Sequence, residues 1–149
     1  MVYKCNLLNK VEIPPKAFVN ENFFKLYLSD TGLLVSLLEI KYNEIMLDRP
    51  FIYKGIIAEN YVANQLIGKN YSLYYWDSNN KSEIDFVIYN DDGLIPVEVK
   101  ASDKTISKSL NIYMNRYNPA YGIRISAKNF GYENNIKSIP LYACFCIRK

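Results

Sequence analysis

Three charged residues interrupt two apolar runs in the stretch SEIDFVIYNDDGLIPVEVK, residues 82–100. Asp85 lies in the first run, and Glu98 and Lys100 lie in the second. The turn-forming sequence Asn90–Gly93 separates the two runs, which predicts a β-hairpin. Carboxylate oxygens are the ligands that hard cations such as Mg²⁺ and Mn²⁺ prefer. The residue types therefore suit metal-assisted chemistry, provided that the hairpin brings them together.

The register of the hairpin decides which charged residues meet. The simplest register pairs the two residues that flank the turn, so that Asp85 lies opposite Glu98 and Glu83 lies opposite Lys100. Strand alternation then places these four side chains on one face. The other face takes the apolar residues Ile84, Phe86, Ile88, Ile95, Val97 and Val99.

Two interpretations of the charged face are open. Opposed carboxylates are destabilising, because their Cβ atoms lie roughly 4.5–5.5 Å apart. A Mg²⁺ or Mn²⁺ ion between Asp85 and Glu98 would offset this repulsion, and Lys100 would hold a water or stabilise charge on a phosphate. The alternative is a solvent-facing surface with ordinary ion pairs such as Glu83–Lys100. We favour the metal site, because the flanking predicted helices indicate that both faces are covered.

A third carboxylate, Glu59, lies on the apolar face of the predicted helix Lys54–Leu66. Helical spacing aligns Gly55, Glu59, Val62 and Leu66, with Ile56 and Ala63 beside them. In one interpretation Glu59 is an edge residue whose stem packs while its carboxylate reaches solvent. With an acidic hairpin nearby, we favour a third metal ligand or a general base.

The composition excludes several classes of site. The chain has no histidine, which excludes Ser-His and Cys-His nucleophile pairs and histidine-ligated zinc. It also has no glycine-rich phosphate loop. The cysteines Cys5, Cys144 and Cys146 give neither a disulfide framework nor metal-ligand spacing, and the last two read as buried strand residues. The formal net charge of +3 permits nucleic-acid binding without requiring it.

The chain shows no targeting or membrane signal. No apolar run approaches the roughly 20 residues that span a bilayer, and the N-terminus lacks the apolar stretch of a signal peptide. We therefore expect a cytoplasmic protein without a membrane partner.

The predicted elements alternate between helices and strands after an irregular leader at residues 1–22. They are strand Phe23–Ser29, helix Gly32–Ile40 capped by Asp30 or Thr31, helix Lys54–Leu66, strands Tyr71–Trp76, Glu83–Tyr89 and Leu94–Lys100, helix Ser102–Tyr117, and strands Tyr121–Ser126 and Ile139–Phe145. From residue 54 the order is α-β-β-β-α-β and one further strand. This order predicts an α/β fold with one mixed sheet flanked by helices.

The order Glu, Asp, Glu-x-Lys on helix, strand and strand resembles the PD-(D/E)XK nuclease superfamily, with Glu59, Asp85, Glu98 and Lys100 as the matching residues. The blocks FFKLYLSDTGLL, GIIAENYVANQL, LYYWDSNNKSEIDFVI and IPVEVKAS occur in this order. Together they are similar to an uncharacterised domain at the C-terminus of many bacterial and archaeal AAA-type ATPases, which is assigned to the restriction-endonuclease-like fold. The resemblance covers almost the whole chain.

The resemblance implies a restriction-endonuclease-like nuclease domain at residues 51–149. It implies a linker or partial winged-helix-like segment at residues 1–50. An ATPase module normally precedes such a domain, so we expect this chain to be a fragment or a stand-alone relative with an ATPase as partner. The pattern departs at one position, because the proline that precedes the first catalytic Asp is replaced by Ile84.

The same resemblance implies Mg²⁺- or Mn²⁺-dependent hydrolysis of phosphodiester bonds, in DNA more than in RNA. Asp85, Glu98 and the Val99 carbonyl would hold the metal. Lys100 would position the attacking water, and Glu59 would help to bind a second metal or its waters.

A nuclease also needs a basic approach for phosphate. Lys104, Ser107 and Lys108, on or beside the second helix, are candidates to contact nucleic-acid phosphates, and Arg124 and Lys128 follow the next strand. A solvated helix face is an equally good interpretation of these residues. The alternative function is a non-catalytic module that keeps the nuclease fold for nucleic-acid binding, protein binding or assembly.

Overall fold

The computed structural model describes residues 1–46, 53–79, 81–101 and 107–149 of the chain. A mixed sheet of eight strands organises this described part. The strands are β1 (Val2–Leu8), β2 (Val19–Leu28), β3 (Tyr74–Asp77), β4 (Glu83–Asn90), β5 (Gly93–Val99), β6 (Gly122–Ser126), β7 (Gly131–Glu133) and β8 (Ile136–Pro140). The helices are α1 (Thr31–Leu37), α2 (Tyr42–Met46), α3 (Lys54–Gly68) and α4 (Lys108–Tyr117), with 3-10 helices at Pro15–Phe18 and Leu141–Cys146. The strand order is β2-β1-β3-β4-β5-β6-β8-β7. The predicted α/β class is confirmed.

The centre of the sheet is the meander β3-β4-β5 followed by β6. β3 and β5 both run antiparallel to β4, and β6 runs parallel to β5 because α4 connects them as a crossover. The hairpin turn is tighter than predicted: Asn90 pairs with Gly93, which has φ +104°, and Asn90 Oδ1 accepts a bond from the Asp92 N–H. The predicted register is confirmed from this turn to the pair Phe86–Val97.

The two long helices cover opposite faces of the sheet. The α3 face buries Val62, Ala63 and Leu66 against strand residues such as Phe86 and Val97. The α4 face is a second cluster, with Leu110 and Tyr113 packed against residues such as Ile84, Trp76 and Val87. The expectation that both faces of the hairpin are covered is therefore confirmed.

The N-terminal segment is regular, and the prediction of an irregular leader at residues 1–22 is wrong. β1 and β2 form an antiparallel hairpin, and β1 also pairs in parallel with β3. The sheet is thus continuous across the expected boundary between residues 50 and 51. β1 pairs with β2 over seven residues and with β3, more than 60 residues away, over two, so its assignment as a strand depends on partners outside its own local sequence.

Asn60 of α3 fixes the end of this N-terminal hairpin. Its buried side-chain amide accepts a bond from the Leu28 N–H (2.8 Å) and donates to the Leu28 carbonyl (3.1 Å). The helix α1 that follows begins at the predicted cap, because Asp30 Oδ1 accepts a bond of 2.7 Å from the Leu33 N–H.

The C-terminal strand prediction, Ile139–Phe145, is wrong over most of its length. β8 ends at Pro140, and Leu141–Cys146 forms a 3-10 helix. Ala143 and Cys144 are both buried, whereas Cys146 is exposed. Consecutive buried residues do not fit the alternation of a strand, so the prediction that Cys146 is buried is wrong as well.

Within the described residues, none of the helices combines the length and the apolar character needed to cross a membrane. Of the predicted helix Ser102–Tyr117, the structure describes α4 from Lys108; residues 102–106 lie outside the described residues.

Candidate active site

A β-bulge in β4 sets the position of Asp85. Val87 pairs with Tyr74 and Ile84 with Trp76, so that two residues of β4 face one residue of β3. The extra residue reverses the alternation, and Ile84 packs on the α4 face instead of the face predicted for it. A bulge re-aims the side chains beside it, which is a frequent feature next to functional sites.

The Asp85 side chain bridges β4 and β5 where their pairing ends. The ladder of paired residues stops at Phe86 and Val97. Asp85 Oδ2 then accepts a hydrogen bond of 2.7 Å from the Val99 backbone N–H. The Asp85 carboxylate is therefore held by the Val99 backbone just beyond the last β4–β5 pair, and it does not form a simple opposed pair with Glu98.

Glu98 is the most buried charged residue of the site, with only 2% of its surface exposed. Its Oε1 forms an ion pair of 2.5 Å with Lys100 Nζ, and its Oε2 is buried without a hydrogen-bond partner. The Glu83–Lys100 pair considered from the sequence is not formed, because Glu83 binds Lys25 instead. A buried carboxylate oxygen without a partner carries a substantial desolvation cost, which a ligand would relieve.

Glu59 faces the sheet from α3, as its position on the apolar face predicts. Its Oε2 accepts a bond of 3.2 Å from the Tyr27 hydroxyl, and the Tyr27 ring packs on Phe86 with 5.3 Å between centroids. The predicted stripe is confirmed at Val62, Ala63 and Leu66, but Ile56 is 52% exposed and does not belong to it.

Sequence reasoning missed Lys25 and Tyr27, which β2 brings to the carboxylates. They are two residues apart on a strand that was predicted, so their side chains lie on one face. This spacing was the available signal. The spacing could not be linked to the carboxylates without the knowledge that β1 and β2 extend the sheet beside β3.

Two of the three carboxylates, Asp85 and Glu59, have a raised pKa. Burial raises the pKa of Asp85 to about 7, and the charges of Glu59 and Glu98 contribute, against the opposing effects of the Val99 N–H and Lys25. Burial also raises the pKa of Glu59, although Lys25 and the Tyr27 hydroxyl oppose the rise. The site therefore concentrates negative charge that only partly finds a cationic partner.

Residues 54–144 match the model of a family described as "Domain of unknown function (DUF4143)". The chain belongs to this family. The matched segment begins at α3 and contains all the candidate catalytic and metal-binding residues: Glu59, Asp85, Glu98, Val99 and Lys100. Lys25 and Tyr27 lie outside it, so the N-terminal hairpin adds to the site of the DUF4143 segment from beyond the matched region. No curated protein and no solved structure matches the chain.

The donor set of the DUF4143 site suits a hard cation. Its candidate ligands are oxygen atoms, and Oε2 of Glu98, which has no hydrogen-bond partner, is available as a metal ligand. No group of three or more Asp, Glu, Cys or His side chains within the described stretches lies together closely enough to hold a metal. Mg²⁺ commonly uses one or two carboxylates together with waters and substrate phosphates, and Asp85 and Glu98 are the two carboxylates that could serve in this way.

Lys100 is positioned by Glu98. Burial alone would lower the pKa of Lys100, but the ion pair with Glu98 and the charges of Asp85 and Glu59 raise it overall. The ammonium group is therefore firmly charged. It lies on the wall of a largely apolar cavity of about 450 Å³ beside α3.

The three residues predicted to contact nucleic acid have different positions. Lys104 lies outside the described residues. Ser107 is buried, and its hydroxyl accepts a bond of 3.2 Å from the Leu110 N–H, so it is the N-cap of α4. Lys108 is exposed on the first turn of that helix.

Proposed function

We propose that this DUF4143 chain is a metal-dependent nuclease that hydrolyses phosphodiester bonds, in DNA in preference to RNA. The observation that carries the proposal is the buried Glu98, whose Oε1 is paired with Lys100 and whose Oε2 has no partner, next to the protonation-prone Asp85. These residues come from adjacent strands at the point where the strands diverge. Carboxylates with a perturbed pKa, such as Asp85, are concentrated at functional sites.

The order of elements supports the proposal. Helix α3, the meander β3-β4-β5, helix α4 and strand β6 follow the α-β-β-β-α-β sequence that the resemblance to restriction-endonuclease-like proteins implies. An association with an AAA-type ATPase, and a winged-helix-like character for residues 1–50, belong to the same proposal.

In this proposal Asp85 and Glu98 hold a Mg²⁺ or Mn²⁺ ion, and the Val99 carbonyl is a further ligand. When bound, the ion would polarise the phosphate and lower the pKa of a bound water. Lys100, a firmly charged donor beside Glu98, orients a water or a phosphate oxygen. Glu59 has a raised pKa and a hydrogen bond from Tyr27, which suits a residue that accepts a proton from water.

A second candidate is a non-catalytic module that binds nucleic acid or a protein partner. One observation favours it: in the described segments no three-ligand metal group is formed, and Lys25 and Lys100 bind Glu83 and Glu98 as internal partners. In this case the lysines, rather than a metal ion, would compensate the buried acidic charge.

Cleavage of labelled single- and double-stranded DNA in Mn²⁺ and in EDTA distinguishes the two functions. The nuclease proposal predicts cleavage in Mn²⁺ that disappears in EDTA and in Asp85→Asn. Asp91→Asn, in the exposed hairpin turn, is the matched control and should cleave like the wild type. Absence of metal-dependent cleavage in the wild type, together with retained DNA binding, would favour the non-catalytic module.

A further inference from the structure

A second cavity, which is polar, lies on the α4 side of the sheet, between the start of α4 and strands β6, β7 and β8. Its volume is about 670 Å³. The lining includes two cationic side chains and one carboxylate among neutral polar groups: Ser107, Asn111, Arg124, Lys128, Glu133 and Ser138. The cavity is therefore polar, and its described lining residues carry a positive balance of charge.

Arg124 is the decisive residue of this cavity. It lies on β6, in register between Glu98 of β5 and Ser138 of β8. Its guanidinium Nε is buried and has no hydrogen-bond partner. A buried donor without an acceptor destabilises the folded state, so an acceptor at this position would be favourable.

The neighbouring carboxylate does not satisfy Arg124. Glu98 is its register partner on the adjacent strand, at a strand spacing of roughly 4.8 Å, and has a partnerless oxygen of its own. No ion pair joins the two residues in the structure. Arg124 thus lines the cavity with an Nε–H group that has no acceptor, while Glu98 pairs with Lys100.

We propose that this cavity binds a phosphate group of a nucleic-acid strand. A guanidinium offers paired N–H donors that match the oxygens of a phosphate, and Lys128 adds a second positive charge. The first turn of the ten-residue helix α4, which Ser107 caps, contributes favourable backbone polarity. The cavity exceeds the size of a phosphate alone, which leaves room for part of a nucleotide.

The identity of the strand rests on the proposed nuclease function, whereas the phosphate site itself does not. Arg124 lies one strand away from Glu98, so a phosphate held here would belong to a nucleotide close to the one at the proposed cleavage site. Free pyrophosphate or a mononucleotide offers the same chemistry and is the competing source.

Binding in EDTA tests the phosphate site without any cleavage. The probes are a short fluorescein-labelled single-stranded oligonucleotide, followed by anisotropy, and pyrophosphate, followed by calorimetry. We expect Arg124→Gln and Lys128→Gln each to weaken oligonucleotide binding about tenfold, in line with the loss of a charge-assisted hydrogen bond. Lys69→Gln, which removes the same charge at the far end of α3, is the control and should bind like the wild type.

The outcomes separate the sources of phosphate. Pyrophosphate that competes with the oligonucleotide in the wild type and binds weakly to Arg124→Gln would support the proposal. Binding of pyrophosphate without binding of the oligonucleotide would overturn the strand as the ligand. Equal binding by wild type and Arg124→Gln, or an equal loss in Lys69→Gln, would overturn the site.

If Arg124→Gln failed to fold, two other variants would still test the proposal. Lys128 is exposed, so Lys128→Gln should keep the fold, and Arg124→Lys retains the charge while it removes the paired donors. Thermal melting of each variant checks the fold. Because none of these measurements requires cleavage, the phosphate site stands or fails independently of the nuclease activity.

Discussion

Asp85 Oδ2 accepts a hydrogen bond of 2.7 Å from the backbone N–H of Val99, across the point where β4 and β5 stop pairing. This bond fixes the direction of a half-buried carboxylate whose pKa is raised by burial and by the charges of Glu59 and Glu98. The fold therefore keeps an acidic group in a place where its charge is unfavourable. A proton or a cation would relieve that cost, and each possibility leads to a different measurement.

Asp85→Asn should stabilise the protein above neutral pH. The pKa of Asp85 in the folded state is about 7, above its value of 3.8 in a model peptide, so the wild type loses stability as the pH rises through this interval. Asparagine is neutral and still offers an oxygen to the Val99 N–H. We expect its melting temperature in EDTA to exceed that of the wild type by about 3–6 °C near pH 8, with a smaller difference near pH 5.

Asp91→Asn is the control for this pH dependence, because Asp91 is exposed in the hairpin turn. Its melting temperature should follow the wild type at both pH values. A difference between Asp85→Asn and the wild type that does not grow with pH would contradict the raised pKa of Asp85.

Mn²⁺ should stabilise the wild type through Glu98. A ligand at a hundred times its dissociation constant contributes about 2.7 kcal/mol, which is several degrees in melting temperature for a chain of this size. Glu98→Gln removes the partnerless carboxylate oxygen and should abolish the shift. Glu83→Gln makes the same chemical change at a residue that already binds Lys25, and should keep it. An equal Mn²⁺ shift in Glu98→Gln and the wild type would exclude Glu98 as a ligand.

Asn60→Ala should destabilise the junction between α3 and the N-terminal hairpin. The substitution removes both bonds to the Leu28 backbone and one to the Thr31 hydroxyl. We expect the free energy of unfolding in urea to fall by about 2–3 kcal/mol, because buried polar groups lose their partners. Asn64→Ala is the control, since among the described residues Asn64 donates only to the Thr31 hydroxyl and its Oδ1 has no partner. A loss as large as that of Asn60→Ala would contradict the anchoring role.

The sequence predicted local features well and long-range ones poorly. The turn at Asn90–Gly93 and the apolar alternation were enough for the register of the β4–β5 hairpin, because both signals lie within a few residues. The bulge that places Asp85 depends on the pairing of β4 with β3, and no local signal marks it. The contact between Tyr27 and Glu59 joins residues 32 positions apart, so it required the arrangement of the whole sheet.

The C-terminal segment shows a second limit, and it gives the last prediction. Cys144 and Cys146 look equivalent under strand alternation, but the 3-10 helix Leu141–Cys146 buries the first and exposes the second. Burial raises the pKa of Cys144 to about 12, and Cys5 is also buried with a raised pKa. The native protein should therefore react with a thiol reagent rapidly at Cys146 alone.

The measurement counts rapidly reacting thiols in native buffer and in urea. The chain has three cysteines, so unfolding should expose all of them, and Cys146→Ser should remove the rapid phase from the native protein. If this segment were the strand that alternation predicts, both cysteines would be buried and no thiol would react rapidly. Slow labelling of all three cysteines in the native state would thus contradict the 3-10 helix.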